Sequence, residues 1–354
     1  MFAITRLASG LVSGKLVERF GERFVLGSGL FMVAFFVFLT GLAQSYEQLL
    51  LLRAAGGLGS SMFSVASSSL VIRMTSDDKR GRAQSVTTGG FLVGGIAGPA
   101  FGGALIAFSP RAPFFIYSVT LTLAGLTGLI FLSEQRMGKK DEPIHVLPAT
   151  TIREAFRIKA FRYALIMTFL TSWILFGVRS SILPLYVIQD LGGTTTLVGI
   201  GFTVSALAQG LILIRAGKFS DSAGRKKALS IGFIFIACGI TTLILAQSIW
   251  FYLVAMLFLG IGGAYGNTGA ALVGDVIKGR SGRVIAVFQM AGDAGMMVGP
   301  ILLGFVSDLS NYRTSLIVSA LAFSVALFLV IDLPETRDLQ NKSGSAPRIG
   351  EEPL

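Results

Sequence analysis

Gly14-Lys-Leu-Val-Glu-Arg-Phe-Gly21-Glu-Arg and Gly217-Lys-Phe-Ser-Asp-Ser-Ala-Gly224-Arg-Lys-Lys are two copies of one short basic motif. Each follows an apolar run, and in each the two glycines are seven residues apart. The copies are offset by 203 residues, and other landmarks keep nearly that register. Gly57 and Gly59 match Gly260 and Gly262 at 203, while Gly81-Arg82 and Gly98-Pro99 match Gly282-Arg283 and Gly299-Pro300 at 201. A register held along the chain is an internal duplication. In a chain this apolar, duplication is the ground plan of a secondary transporter.

Composition supports a membrane protein. The 354 residues are 53% hydrophobic and only 14% charged, with mean hydropathy +0.73; a soluble domain carries about a quarter charged residues. The apolar residues fall in runs of roughly 20, the length a helix needs to cross the hydrocarbon core. The 44 glycines lie inside those runs, where small residues let helices approach closely. Cys238 is the one cysteine and His145 the one histidine, so neither a disulfide framework nor a cysteine-based metal site is expected, and no metal is. The first run leads straight into the basic motif, which is not the form of a secretory signal.

The formal charge of +11 invites a nucleic-acid reading, but its placement argues against one. Of the 30 Lys and Arg, only Arg111 and Arg313 fall in loops of one side, and Arg6, Arg53 and Arg179 fall inside spans. The remaining 25 sit in or beside loops of the other side. This positive-inside bias puts the central loop and the C-terminus in the cytoplasm and makes the chain a multi-pass protein of the cell (plasma or inner) membrane.

The spans read as 26–44, 47–74, 82–108, 112–132, 161–188, 196–216, 228–247, 250–277, 283–307 and 312–333. Residues 1–13 read as the last half of another. The fold class is therefore an all-α polytopic membrane protein of two pseudo-symmetric six-helix bundles, the first incomplete. The incomplete bundle is 1–132, a cytoplasmic linker runs over 133–160, the second bundle is 161–337, and 338–354 is a disordered cytoplasmic tail, rich in Ser, Gly, Pro and Glu. Spanning helices are expected to be complete, which calls for residues before Met1; a truncated chain is the alternative.

The doubled motif resembles the loop signature of the major facilitator superfamily, G-x-L-a-D-R-x-G-R-K, and the resemblance covers about 1–337. The second copy matches at Gly217, Asp221, Gly224, Arg225 and Lys226. The first keeps Gly14, Arg19, Gly21 and Arg23 but carries Glu18 for Asp, and acidic Glu22 where a basic residue is usual. The resemblance implies a cytoplasmic gate. The acidic position, Glu18 or Asp221, meets the N-terminus of a helix from the opposite half, beside basic partners such as Arg19 and Arg225. Such a charge–dipole contact is worth a fraction of a kcal/mol to about 2 kcal/mol, which suits a latch that breaks each cycle. The longer Glu18 and the acidic Glu22 are expected to weaken the first copy.

A second stretch, Gly94-Gly-Ile-Ala-Gly98-Pro99-Ala-Phe-Gly102-Gly103, resembles the G-x-x-x-G-P-x-x-G-G motif of drug–proton antiporters in this superfamily. Gly90, Gly94, Gly98 and Gly102 make one bare stripe along a helix. Pro99 removes a backbone hydrogen bond and bends it. A bare, bent helix is expected to press on its counterpart in the other half; generic small-residue packing is the plainer reading.

Charges at membrane depth are costly and mark candidate sites. Asp293 lies near the midplane and is the first candidate for proton or cation binding, with a structural partnership to an arginine as the equal alternative. Arg53, in an R-x-x-x-G-x-G pattern, resembles the family's fourth-helix arginine, which is implicated in proton transfer. Arg179 is a candidate partner for an anionic substrate. Arg6 and Asp275 lie near helix ends, where snorkelling explains them. Trp173, Tyr265, Asn267 and Gln289 are candidate substrate contacts.

Together these features read as a secondary active transporter, not an enzyme. It exports a small amphipathic compound by alternating access, as an antiporter exchanging it for protons. It needs no cofactor beyond the proton gradient, since no G-x-x-x-x-G-K-[ST] nucleotide loop is present. Its partners are a small-molecule substrate and the lipid bilayer, not nucleic acid, and proteins of this plan act as monomers. A sugar or organic-anion transporter of the same fold and a non-transporting remnant are the alternatives.

Overall fold

The computed structural model describes the chain except residues 77–78, 107, 133–148, 267, 278, 280 and 337–354, and the side chains of 96, 99, 100, 103 and 104. Among the described residues there is no strand. The helices are α1 (Phe2–Phe20), α2 (Glu22–Leu42), α3 (Tyr46–Met74), α4 (Arg80–Ile106), α5 (Ala112–Phe131), α6 (Ile152–Arg157), α7 (Lys159–Ser172), α8 (Leu183–Gln189), α9 (Thr195–Ala223), α10 (Arg225–Ile244), α11 (Ile249–Gly266), α12 (Thr268–Val276), α13 (Gly282–Leu309) and α14 (Tyr312–Asp332). A π-helical segment, Trp173–Ile182, joins α7 to α8 without a break. Nine spans among the described residues are long and apolar enough to cross a bilayer. Phe35, Leu211, Phe305 and Phe328 point outward and exposed, a surface that lipid accepts and water does not.

Shifted by about 202 residues, α1 falls on the inner half of α9, α2 on α10, α3 on α11 and α12, α4 on α13, and α5 on α14. Packing repeats in the same way. In the first repeat α2 lies on α3 and α5; in the second α10 lies on α11 and α14. The repeats meet most extensively through one contact made twice, α1 on α13 and α9 on α4, and more lightly where α3 touches α12 and α13 and α4 touches α12.

The basic motifs are helical, where the sequence suggested loops. The apolar pattern stops at the membrane surface, but Lys, Glu, Arg and Ser do not break a helix. What ends α1 and α9 is Gly21 (φ +83°) and Gly224 (φ +108°), in the left-handed region that glycine enters freely. Of the expected linker, 133–148 lies outside the described residues, as does the tail from 338 onward. The described end of the linker is not all loop. Thr151 and Glu154 form a reciprocal capping box that starts α6, and the Thr151 N–H holds the Glu154 carboxyl below its usual range.

Candidate functional site

At the motif-bearing end, Asp221 takes the N–H groups of Gly81 and Arg82 at 2.7 and 3.0 Å, which are the first turn of α4. Glu18 takes the N–H of Arg283 at 2.9 Å and its Nε at 2.7 Å, at the first turn of α13. Each carboxylate therefore caps a helix of the other repeat, where the helix end is positive. Glycine makes the approach possible. A Cβ on Gly14 would stand 2.8 Å from the Gly282 carbonyl oxygen, and one on Gly217 2.7 Å from that of Gly81. A third correspondence lies two residues past the matched glycines. Arg23 donates to the Leu129 carbonyl at 2.8 Å, and Lys226 to that of Ile331 at 2.6 Å, each at the last turn of its repeat's final helix. Arg19 stays out of this contact; it is exposed and stacks on Phe20.

One position breaks the symmetry. Arg225 is buried, with Nη1 2.6 Å from Asp221 and Nε 2.9 Å from Asp275. Arg80 and Thr336 also donate to Asp275, at 3.1 Å each. Glu22, 203 residues earlier, has the opposite charge, and so does its partner. Arg73 and Ser69 donate to Glu22 at 3.0 and 3.2 Å, and Arg73 is 202 residues before Asp275. The ion pair is inverted rather than lost, and it turns Glu22 away from the Glu18 contact. Asp275 is thus a buried member of a network and does not snorkel.

Between the repeats lies a cavity of about 380 Å³, lined from α1, α3, α4, α7, the π-helical segment and α13. Phe2, Phe63, Phe91 and Phe176 give it an aromatic wall, and Ser64, Ser67, Ser68, Thr168 and Ser172 a hydroxyl wall. Arg6 and Asp293 are the charged side chains of its lining. They pair across the repeats at 2.9 Å, and Arg6 also donates to Ser60 at 2.6 Å. The expectation that Arg6 snorkels is therefore wrong: burial beside a carboxylate at the same depth outweighs reaching the interface. Gln289 lines the same cavity and reaches Ser68 at 2.5 Å.

The other candidates lie elsewhere. Arg53 is exposed on α3, over the Phe2 ring, so Arg6 and not Arg53 meets Asp293. Arg179 lies over the Phe202 ring and is not in the cavity lining. Trp173 is buried and donates from Nε1 to Ser319 at 3.1 Å, which makes it a packing residue. Tyr265 packs edge-on against Phe219. Asn267 lies outside the described residues. The glycine stripe does not meet the other repeat: Gly90, Gly94, Gly98 and Gly102 have no described atom within 4 Å of a built Cβ. The α4 face on α9 is set by Gly81, which lies about 180° around the helix from Gly90. Of Pro99 and Gly103, only their place within α4 is described.

Sequence reasoning missed Arg6, Arg73 and Glu335. The Glu335 carboxylate caps α10, taking the N–H groups of Arg225 and Lys226 at 2.8 and 3.2 Å. The signal for Arg73 was available in the repeat: opposite charges at both of two matched positions. Arg6 has no such signal, because its match at 203 is Gln209.

The comparisons with known proteins agree with this geometry. The family model described as Major Facilitator Superfamily matches residues 1–192 and 176–351. The chain is 27% identical over 340 residues to "Multidrug resistance protein MdtG" of Dickeya zeae (strain Ech586), covering 93% of this chain and 82% of that protein. It is 28% identical over 332 residues to the protein of the same name from Enterobacter lignolyticus (strain SCF1), covering 91% and 78%. Among solved structures, the human organic anion transporter MFSD10 (TETRAN) superimposes with TM-score 0.76 at 15% identity, covering 93% of this chain and 82% of that one. The proton:xylose symporter XylE bound to 6-bromo-6-deoxy-D-glucose gives 0.74 at 16%, covering 96% and 87%.

Proposed function

The chain belongs to the Major Facilitator Superfamily, and from that premise we propose that it exports a small amphipathic compound by alternating access, driven by the proton gradient. The observation that carries the reading is the Arg6–Asp293 pair, which ties α1 of one repeat to α13 of the other inside the cavity. A carboxylate can be neutralised by a proton, whereas a guanidinium stays charged. Protonation of Asp293 weakens the tie between the repeats, so proton occupancy changes the free energy of separating them. Similarity to multidrug resistance proteins supports a lipophilic substrate, and the phenyl-lined wall suits one. The organic-anion alternative invoked Arg179 and Arg53, and neither lines the cavity.

The gate in this reading is the pair of helix-capping carboxylates, Glu18 and Asp221, closed on the cytoplasmic side. The protein needs no cofactor and works as a monomer. The test is extrusion of a lipophilic dye cation from liposomes under an imposed pH gradient. Wild type should move the dye, and Asp293→Asn should lose the proton dependence while still binding it. Full proton-driven flux in Asp293→Asn would remove Asp293 from the coupling site. No flux in correctly folded wild type would favour the non-transporting alternative.

A further inference from the structure

We infer that the segment from α6 to the first turn of α7 is a docking surface for the anionic phospholipid headgroups of the surrounding bilayer. The segment is held in place from beneath. Ala155 is fully buried, Ile152 and Ile158 pack on the core, and the Phe156 ring meets Phe161 edge-on at 5.7 Å. The capping box fixes where α6 begins, and α7 starts only two residues after α6 ends. The short helix is therefore bound to the level at which the span leaves the hydrocarbon.

Its outward face is cationic and partly apolar. Arg153 and Arg157 are one turn apart and exposed, as is Arg162 on the first turn of α7. None of the three makes a salt bridge within 4 Å among the described residues, although Arg157 acts at longer range on exposed Glu154 of the same helix. Phe156 stands beside them, 43% exposed. The neighbouring helix end adds cations: Lys226 reaches the Ile331 carbonyl and Lys227 is exposed, while Lys159 is balanced by Asp332 at 2.6 Å. Guanidinium groups flanking an aromatic ring at a span's mouth match lipid phosphate above and acyl chain below. The sequence alone shows the arginines; the structure shows that they share a rigid, outward-facing ledge.

The experiment titrates phosphatidylglycerol against phosphatidylcholine around the purified full chain and follows its thermal unfolding midpoint. Phosphatidylglycerol should raise the midpoint. The variant Arg153→Gln/Arg157→Gln/Arg162→Gln should need roughly a hundred times more of it for half the rise, or fail to reach it. Arg111→Gln, at the opposite end, should behave as wild type. Added salt should reduce the rise in wild type, a readout that needs no variant to fold. The inference is overturned if the triple variant keeps the whole rise, if phosphatidylcholine alone gives it, or if inorganic phosphate reproduces it. None of these readouts uses transport, so the result stands apart from the fate of the export reading.

Discussion

The two copies of the motif make the same contacts by opposite electrostatics. In the second repeat, Asp221 is shared. It caps α4 of the other repeat, and it is also held by the buried Arg225 of its own. In the first repeat, Glu18 gives both oxygens to Arg283, and the neighbouring charge, Glu22, is occupied by Arg73. Asp221 and Arg225 are nearly closed to solvent, with side chains 5% and 1% exposed. Glu18 and Arg283 are open, at 21% and 53%. The backbone contact is thus duplicated, and so is an exposed arginine beside it, Arg82 at 3.7 Å from Asp221, but only the second copy adds a buried charge, Arg225. A sound expectation is that the second latch sets the stability of the closed state, and the first responds to conditions.

The largest test of that difference is to invert each pair. Glu22→Arg alone sets two cations together, but Glu22→Arg with Arg73→Glu restores a simple pair and should recover most of the loss. Arg225→Glu with Asp275→Arg should not recover. Arg225 also serves Asp221, and Asp275 also serves Arg80 and Thr336. Removing one member of such a buried network costs about 3 kcal/mol or more. Unfolding midpoints of the four single and two double variants decide it. Equal recovery in both repeats would show that the extra partners contribute nothing.

Sterics should not share the asymmetry, which gives the second test. Gly14 faces Gly282 and Gly217 faces Gly81 at nearly the same built-Cβ distances. Gly14→Ala and Gly217→Ala should each cost about 1 to 3 kcal/mol, by forcing the paired helices apart. Both should also raise the reactivity of a reporter cysteine placed at the motif-bearing end. A large effect for one and none for the other would break the duplication as a description of this interface.

How far the sequence carried this picture follows from what repeats. The helices, their order and the matched glycines were legible because each occurs twice, and because apolar runs of bilayer length are an unambiguous pattern. Asp293 and Gln289 were found because a polar group at mid-depth stands out against its surroundings. Trp173 and Arg179 looked equally good and face elsewhere, since helix rotation cannot be read from a span that is apolar all round. The π-helical segment carrying both residues shifts the register of everything after it. Arg6 was misplaced by one assumption, that a charge near a helix end reaches for water. Its partner lies 287 residues away, a distance no local pattern reports.

The smallest test concerns the exposed latch. Glu18→Gln keeps the side chain's shape and removes the charge. An exposed ion pair contributes about 0.2 to 1 kcal/mol, and its Coulomb part is screened within roughly 10 Å at 0.1 M salt. In low salt the variant should therefore loosen the closed state by a factor of a few, read as faster labelling of a reporter cysteine beside α13. In high salt, wild type and variant should converge. Asp221→Asn should show a loss that salt removes only in part, because Arg225 is shielded from the ions while its other partner, Arg82 at 3.7 Å, is 45% exposed. If Glu18→Gln keeps its deficit at high salt, the hydrogen bond to the Arg283 N–H carries the contact rather than the charge.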